Sequence, residues 1–215
     1  MKDIFKRHLV FWADKSIRLN LLLSGALFSL SLFLTHWAQT YVDTYSGSPI
    51  PDLLLDHVPV MNVNLIFFQG AFLFVVLLVL VLLYEPKYIP FTIGSSALFF
   101  TVRSLFTILT HLAAPGAAMY QYVDYDHHIR QVVFTLSSGN DLFFSGHAGF
   151  PFLLALVFWN FPKARYFFLI CSVVGSVVVI LGHLHYSIDV FSAFFISFGI
   201  FEIAKRVFKK EFAFI

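Results

Sequence analysis

The chain has 215 residues, of which 59% are hydrophobic and only 12% charged, with a formal net charge of +2. A mean hydropathy of +0.83 leaves too little polar surface for a water-soluble domain, and so small a charge argues against a nucleic-acid partner. The one cysteine, Cys171, lies inside an apolar run, which excludes a disulfide framework and a cysteine metal site.

In chain order, residues 3–16, DIFKRHLVFWADKS, read as an amphipathic interfacial helix. Ile4, Phe5, Leu9 and Trp12 share its apolar face, with Lys6 and Arg7 toward the headgroups. A secretory signal also begins with basic residues, but the first 18 residues are too extended and mixed for one. They lead instead into an uncleaved span.

Six apolar runs follow, at roughly 19–37, 63–84, 91–113, 147–161, 166–183 and 186–204. A helix needs about 20 such residues to cross a bilayer. The breaks carry turn chemistry: TYSGSPIPD, EPKYIP, AAPG, FPKAR and HLHYSID. No internal repeat or low-complexity linker divides the chain. The expected fold is an all-α integral membrane protein: an interfacial helix at 1–18, a six-span bundle at 19–207 and a tail at 208–215.

The basic residues give this bundle a direction. Lys2, Lys6, Arg7, Lys15 and Arg18 precede the first span, Lys87 falls between spans two and three, and Lys163 and Arg165 between four and five. Lys205, Arg206, Lys209 and Lys210 follow the sixth. Six spans put all of them on one side, expected to be cytoplasmic, with both termini there. Of the 14 basic residues, only Arg103 and Arg130 depart from the pattern.

Histidine reverses it. His36, His57, His111, His127, His128, His147, His183 and His185 map to the outer half, and only His8 to the inner. Asp43, Asp52, Asp56, Asp124, Asp126, Asp141 and Asp189 join them. The titratable groups suited to chemistry therefore gather on the extracytoplasmic face.

Four stretches interrupt the apolar pattern there: SPIPD (48–52), RSLFTILTHLAAP (103–115), GNDLFFSGHAG (139–149) and GHLHYSIDV (182–190). On a helix His185 and Asp189 would share a face, so that the carboxylate fixes the imidazole tautomer and leaves the other nitrogen free for attack. The competing reading is a pair that merely caps a helix near the interface. Ser145 is a natural N-cap, Gly146 permits close backbone approach, and His147 falls in the first turn, at a helix end suited to anions. A histidine there can protonate a departing oxygen. The fourth span is short: about 15 residues cover roughly 22 Å, which recesses His147 and suits a lipid headgroup.

Arg103, inside the third span, costs about 2.5–3.5 kcal/mol on insertion scales and needs a partner within the bundle. A phosphate is one candidate; Asp141 and Asp189 are others. Arg130, in an outer loop, is a second candidate phosphate contact. A metal site built from His127, His128, His183 and His185 is the weaker alternative, because residues two apart on a helix point apart.

Ser145-Gly146-His147 followed by His185-x-x-x-Asp189 resembles the type 2 phosphatidic acid phosphatase (PAP2) superfamily. The finer resemblance is to its sphingomyelin synthase branch, carried by Pro49-Ile50-Pro51-Asp52, by Arg103 with Thr107 and Thr110, by Asp141 through His147, and by His185 through Val190 with Ala193. The resemblance implies that His185 is a nucleophile forming a phosphohistidine, Asp189 orients it and His147 is the general acid. It implies substrate contacts at Arg103, Asp141, Ser145, Gly146, Asp52 and Arg130, with no metal or cofactor.

The expected activity is transfer of a phospho-headgroup from a glycerophospholipid to a ceramide- or diacylglycerol-like acceptor. A lipid phosphatase or phospholipase C-type hydrolase is the runner-up, and a non-catalytic lipid transporter or scramblase the reading from another class. Membrane lipids are the expected partners, with a homo-oligomer left open, and a bacterial inner membrane is the expected location. Two departures bear on substrate. The Lys-x6-Arg-Pro signature of the ordinary phosphatases is missing, and Val179 stands where they carry an arginine.

Overall fold

The computed structural model of the protein describes residues 2–45, 47–115 and 142–215. Its elements are α1 (Lys2–Ala13), α2 (Lys15–Tyr45), α3 (Asn64–Tyr84), a 3₁₀ turn at Pro86–Tyr88, α4 (Ile89–Thr110), α5 (Gly146–Val157), α6 (Pro162–Leu181), α7 (Ser187–Val207) and α8 (Lys209–Phe212). No strand occurs among the described residues. Among the described residues five helices, α2, α3, α4 with the preceding turn, α6 and α7, are long and apolar enough to cross a membrane; α5 is a shorter apolar helix. The protein is an all-α, multi-pass membrane protein.

The helix boundaries have local causes. Asp14 separates α1 from α2 and its carboxylate accepts from the Ser16 backbone N–H at 2.7 Å, capping the long helix. Prolines open the helices that follow the two basic turns, at Pro90 in α4 and Pro162 in α6, where a missing N–H costs nothing. Thr35, Thr40 and Thr44 of α2 return their hydroxyls to carbonyls four residues back, which lets an increasingly polar sequence stay helical.

Packing sets the site in place. Helix α2 lies chiefly against α4, and α5 against α6 and α7. A Cβ at Gly175 of α6 would run into the carbonyl oxygen of His147, and one at Gly149 would meet Ser197 Oγ at 2.7 Å. These glycines let α5 approach both neighbours at backbone distance, as small residues do in membrane bundles. One apolar cluster, including Phe99, Phe144, Leu153, Val179 and Val190, fills the space below the site. A second, around Tyr88, Phe91, Phe158 and Phe168, fills the opposite end.

Candidate active site

The GHLHYSIDV stretch folds as a reversal between α6 and α7. Gly182 caps α6, His183 takes a left-handed conformation at φ 49°, and Tyr186 is the N-cap of α7. His185 therefore precedes the helix instead of sharing its face with Asp189, which corrects the helical spacing expected from sequence. The chain reversal still joins them: His185 Nδ1 lies 3.4 Å from Asp189 Oδ2. His185 is 5% exposed and Asp189 fully buried.

Asp189 is the third residue of α7, and the same Oδ2 accepts the Tyr186 N–H at 3.0 Å. Its carboxylate thus serves the helix start and the imidazole together, favoured there by the helix dipole. Its other oxygen, Oδ1, has no hydrogen-bond partner among the described residues, an uncommon state for a buried carboxylate.

Helix α5 begins beside this pair. Ser145 Oγ accepts from the Ala148 N–H at 3.4 Å as the N-cap, and the Ser145 N–H donates to the backbone oxygen of Asp189 at 3.0 Å. That bond ties the start of α5, with His147 in its first turn, directly to α7. The His147 ring is half-buried, 4.3 Å from that of Phe67 at 31°. On the other side of α5, Ser172 donates to the Ala148 oxygen at 2.7 Å.

Arg103 is 8% exposed. Its Nε donates to the Phe144 oxygen at 2.8 Å, and one turn along α4 the Thr107 hydroxyl donates to the Phe143 oxygen at 3.3 Å. The two side chains hold the loop that delivers Ser145. The guanidinium also lies against Gly146, where a Cβ would sit 3.5 Å from Nε and 3.7 Å from Cζ. Arg103 thus takes a backbone carbonyl as one partner, a possibility the sequence does not raise. Asp141 and Arg130, expected to contact substrate, lie outside the described residues, as do His127 and His128.

The segment 47–63 straps across this end. Asp52 Oδ2 accepts from the N–H and Oγ of Ser187 at 2.7 and 2.9 Å, while Oδ1 accepts from Leu54 and Leu55 N–H at 2.9 and 3.1 Å. Burial alone would push the Asp52 carboxyl up. The hydrogen bonds from Leu55, Ser187 and Leu54 together outweigh it and hold the group below its ordinary range. The Tyr186 hydroxyl accepts from Ile50 N–H at 3.2 Å and donates to the Ala113 oxygen at 2.9 Å. His183 Nε2 lies 2.9 Å from the Val58 oxygen, and Met61 N–H donates to the Leu181 oxygen at 2.8 Å. His183 and His185 therefore serve different partners. Tyr186 and Ser187 set the entry of the sixth span, as residues at such a break do; what sequence reasoning missed is their bonds to the strap and the duty of His183, for which a polar residue flanking an apolar span is the one signal.

Fold and site together define a multi-pass helical membrane protein with a buried histidine–aspartate pair where α4, α5, α6 and α7 meet. Residues 138–206 match the family model described as PAP2 superfamily C-terminal. The match covers about a third of the chain, the third that carries Ser145, His147, His185 and Asp189. It supports a relation to the PAP2 superfamily and, with it, a lipid phosphatase- or phosphotransferase-type activity. No curated protein and no solved structure matches the chain.

Proposed function

We propose that this protein is a membrane phosphotransferase that moves a phospho-headgroup from a glycerophospholipid to a ceramide- or diacylglycerol-like alcohol through a phosphohistidine. The observation that carries the reading is the buried His185–Asp189 pair, tied through Ser145 to the helix start that bears His147.

In the first half-reaction His185 Nδ1–H donates to Asp189, and the Nε2 lone pair attacks phosphorus. An N–P bond forms as the P–O bond to the diacylglycerol breaks, and His147 gives its proton to the departing oxygen. In the second, neutral His147 takes the proton of the acceptor hydroxyl, its oxygen attacks phosphorus, and the N–P bond breaks. Each histidine ends as it began. The protein's part is positioning and charge stabilisation, to which the N-terminus of α5, Arg103, Asp141 and Arg130 contribute in this reading.

One feature supports a diester substrate over a monoester. Val179, where the ordinary phosphatases carry arginine, is fully buried in the apolar core. A phosphodiester, with about one negative charge, needs fewer cations than a monoester with up to two.

The test is purified protein with headgroup-labelled phospholipid, with and without ceramide or diacylglycerol. Acceptor-dependent labelled lipid and an acid-labile, base-stable protein adduct are expected. Free phosphate or free phosphorylated headgroup in the absence of acceptor would make it a hydrolase. No turnover of any lipid phosphate, with lipid movement unaltered in His185→Ala, would leave a transporter.

A further inference from the structure

Asp52 is the strap residue whose carboxylate bonds the turn that joins His185 to Asp189. Its ionised side chain has no donor, and its two carboxylate oxygens together receive four protein donors, two from its own turn and two from Ser187. Ser187 is the first residue of α7, two before Asp189 and two after His185. The first N–H groups of a helix have no partner within it. Asp52 supplies one from 135 residues away in sequence.

The neighbouring N–H, that of Tyr186, is taken by Asp189 Oδ2 at 3.0 Å, and His185 Nδ1 shares that oxygen at 3.4 Å. Asp189 thus holds His185 only while the turn 185–189 keeps its shape. Within that turn the Ser187 N–H is the donor whose acceptor comes from the strap. Without Asp52 it would seek another acceptor, and the nearest carboxylate in sequence is that of Asp189, whose Oδ1 is unpartnered among the described residues. Rotation of Asp189 toward its own helix end would draw Oδ2 away from the imidazole.

We infer that Asp52 is a positioning residue for the His185–Asp189 pair: by capping Ser187 it reserves the Asp189 carboxylate for the nucleophilic histidine. This rests on the phosphohistidine reading above, and it gives Asp52 a different duty from the substrate contact implied by family resemblance. The two duties differ in what they do to the kinetics. A lost substrate contact raises KM, whereas a misaligned nucleophile lowers kcat for adduct formation with KM little changed.

The experiment measures histidine phosphorylation by a headgroup diester with an activated phenolate leaving group, in the full-length protein in detergent, for wild type, His185→Ala, Asp52→Asn, Asp52→Ala and Ser187→Ala. Hydrogen exchange at residues 185–190 is followed on the same samples. Expected are a fall of about 10- to 100-fold in kcat for Asp52→Ala, the scale of a small misplacement of a reacting group, and a KM within about twofold. Asp52→Asn and Ser187→Ala, which keep part of the cap, should lie between it and wild type. Exchange should rise at 185–190 while α4 and α6 stay protected.

Wild-type protein that forms no adduct would sink the phosphohistidine reading and this inference with it. An adduct in wild type with a raised KM and unchanged kcat in the Asp52 variants would overturn the inference alone, returning Asp52 to substrate contact. If Asp52→Ala does not fold, wild-type kcat in both Asp52→Asn and Ser187→Ala would overturn it equally.

Discussion

Asp189 carries two duties on one oxygen, and separating them is the most direct test of the site. Asparagine keeps a side-chain oxygen at the third helical position to reach back to the N-cap N–H, so Asp189→Asn keeps the bond to Tyr186 N–H and should change stability by about 1 kcal/mol or less, the net worth of one hydrogen bond. The same amide oxygen can still accept from His185 Nδ1–H, but it lacks the carboxylate charge that supports the ring as positive charge develops on it. Adduct formation should fall by up to about 10⁴-fold, the loss when a triad aspartate is replaced by its amide; a wild-type labelling rate would make Asp189 a support for the helix start and nothing more. His185→Ala should form no adduct, whereas His147→Ala should still label slowly from an activated leaving group that needs no proton.

Acid provides a separate check on Asp52. A carboxyl held below its ordinary range in the fold contributes stability that is fully present above that range and lost as pH falls through the folded value. Thermal unfolding of wild type and Asp52→Asn in detergent should therefore differ near neutral pH, with the gap closing in acid. At this scale the sequence discloses residue types and little about partners. His185, Asp189 and His147 stand out because they interrupt apolar runs. The Asp52–Ser187, His183–Val58 and Tyr186–Ala113 bonds join residues 135, 125 and 73 positions apart, and no local pattern records them.

Elements show the same division between periodic and tertiary information. The second, third, fifth and sixth spans lie within a few residues of α3, α4, α6 and α7, because apolar runs end at Pro, Gly and charged turns. The first is read as 19–37, yet α2 continues through Tyr45. Hydropathy fades at Gln39, Thr40, Asp43 and Thr44, but the helix persists because its threonines bond backward and its buried face rests on α4, where Thr35 meets Ser104 at 3.0 Å. The fourth is shorter still than expected, ending at Val157; its 12 residues rise only about 18 Å. Close packing holds so short a helix. Gly175→Ala would press a methyl on the His147 carbonyl and should cost about 1–3 kcal/mol, typical of overpacking. Gly25→Ala, in α2 with nothing within 4 Å of its Cβ, should be neutral or stabilising by about 0.5–1 kcal/mol. Thermal unfolding of the two variants in one detergent compares them; equal effects would mean that α5 does not depend on backbone contact with α6.

For the whole molecule, the structure gathers the basic segments at the end opposite the histidine–aspartate pair. Arg7 of α1 pairs with Glu85 at 2.6 Å, Asn160 donates to the Ile215 oxygen at 3.1 Å, and Phe91 lies 5.1 Å from Phe212. The N-terminal helix, both basic turns and the C-terminal residues thus share one rim. Cations there rest on aromatic rings: Arg165 between Trp159 and Tyr166 at 4.7 and 4.6 Å, Lys87 over Tyr88 at 5.0 Å, and Lys205 over Phe201 at 5.3 Å. Aromatic residues favour the headgroup level, and cationic loops favour the cytoplasmic side. The strap 47–63 and the His185–Asp189 pair would then face away from the cytoplasm, with lipid phosphates reaching them from the outer leaflet. Single-cysteine variants test that direction. With Cys171 replaced by alanine, Asp56→Cys on the strap and Lys163→Cys on the basic rim are both exposed positions. A membrane-impermeant maleimide should label Asp56→Cys in intact cells or right-side-out vesicles, and Lys163→Cys only after permeabilisation. The opposite pattern would reverse the molecule in the membrane and turn the candidate site toward cytoplasmic lipid. Labelling of both without permeabilisation would break the six-span count itself, since an even number of crossings between the two positions would then be required.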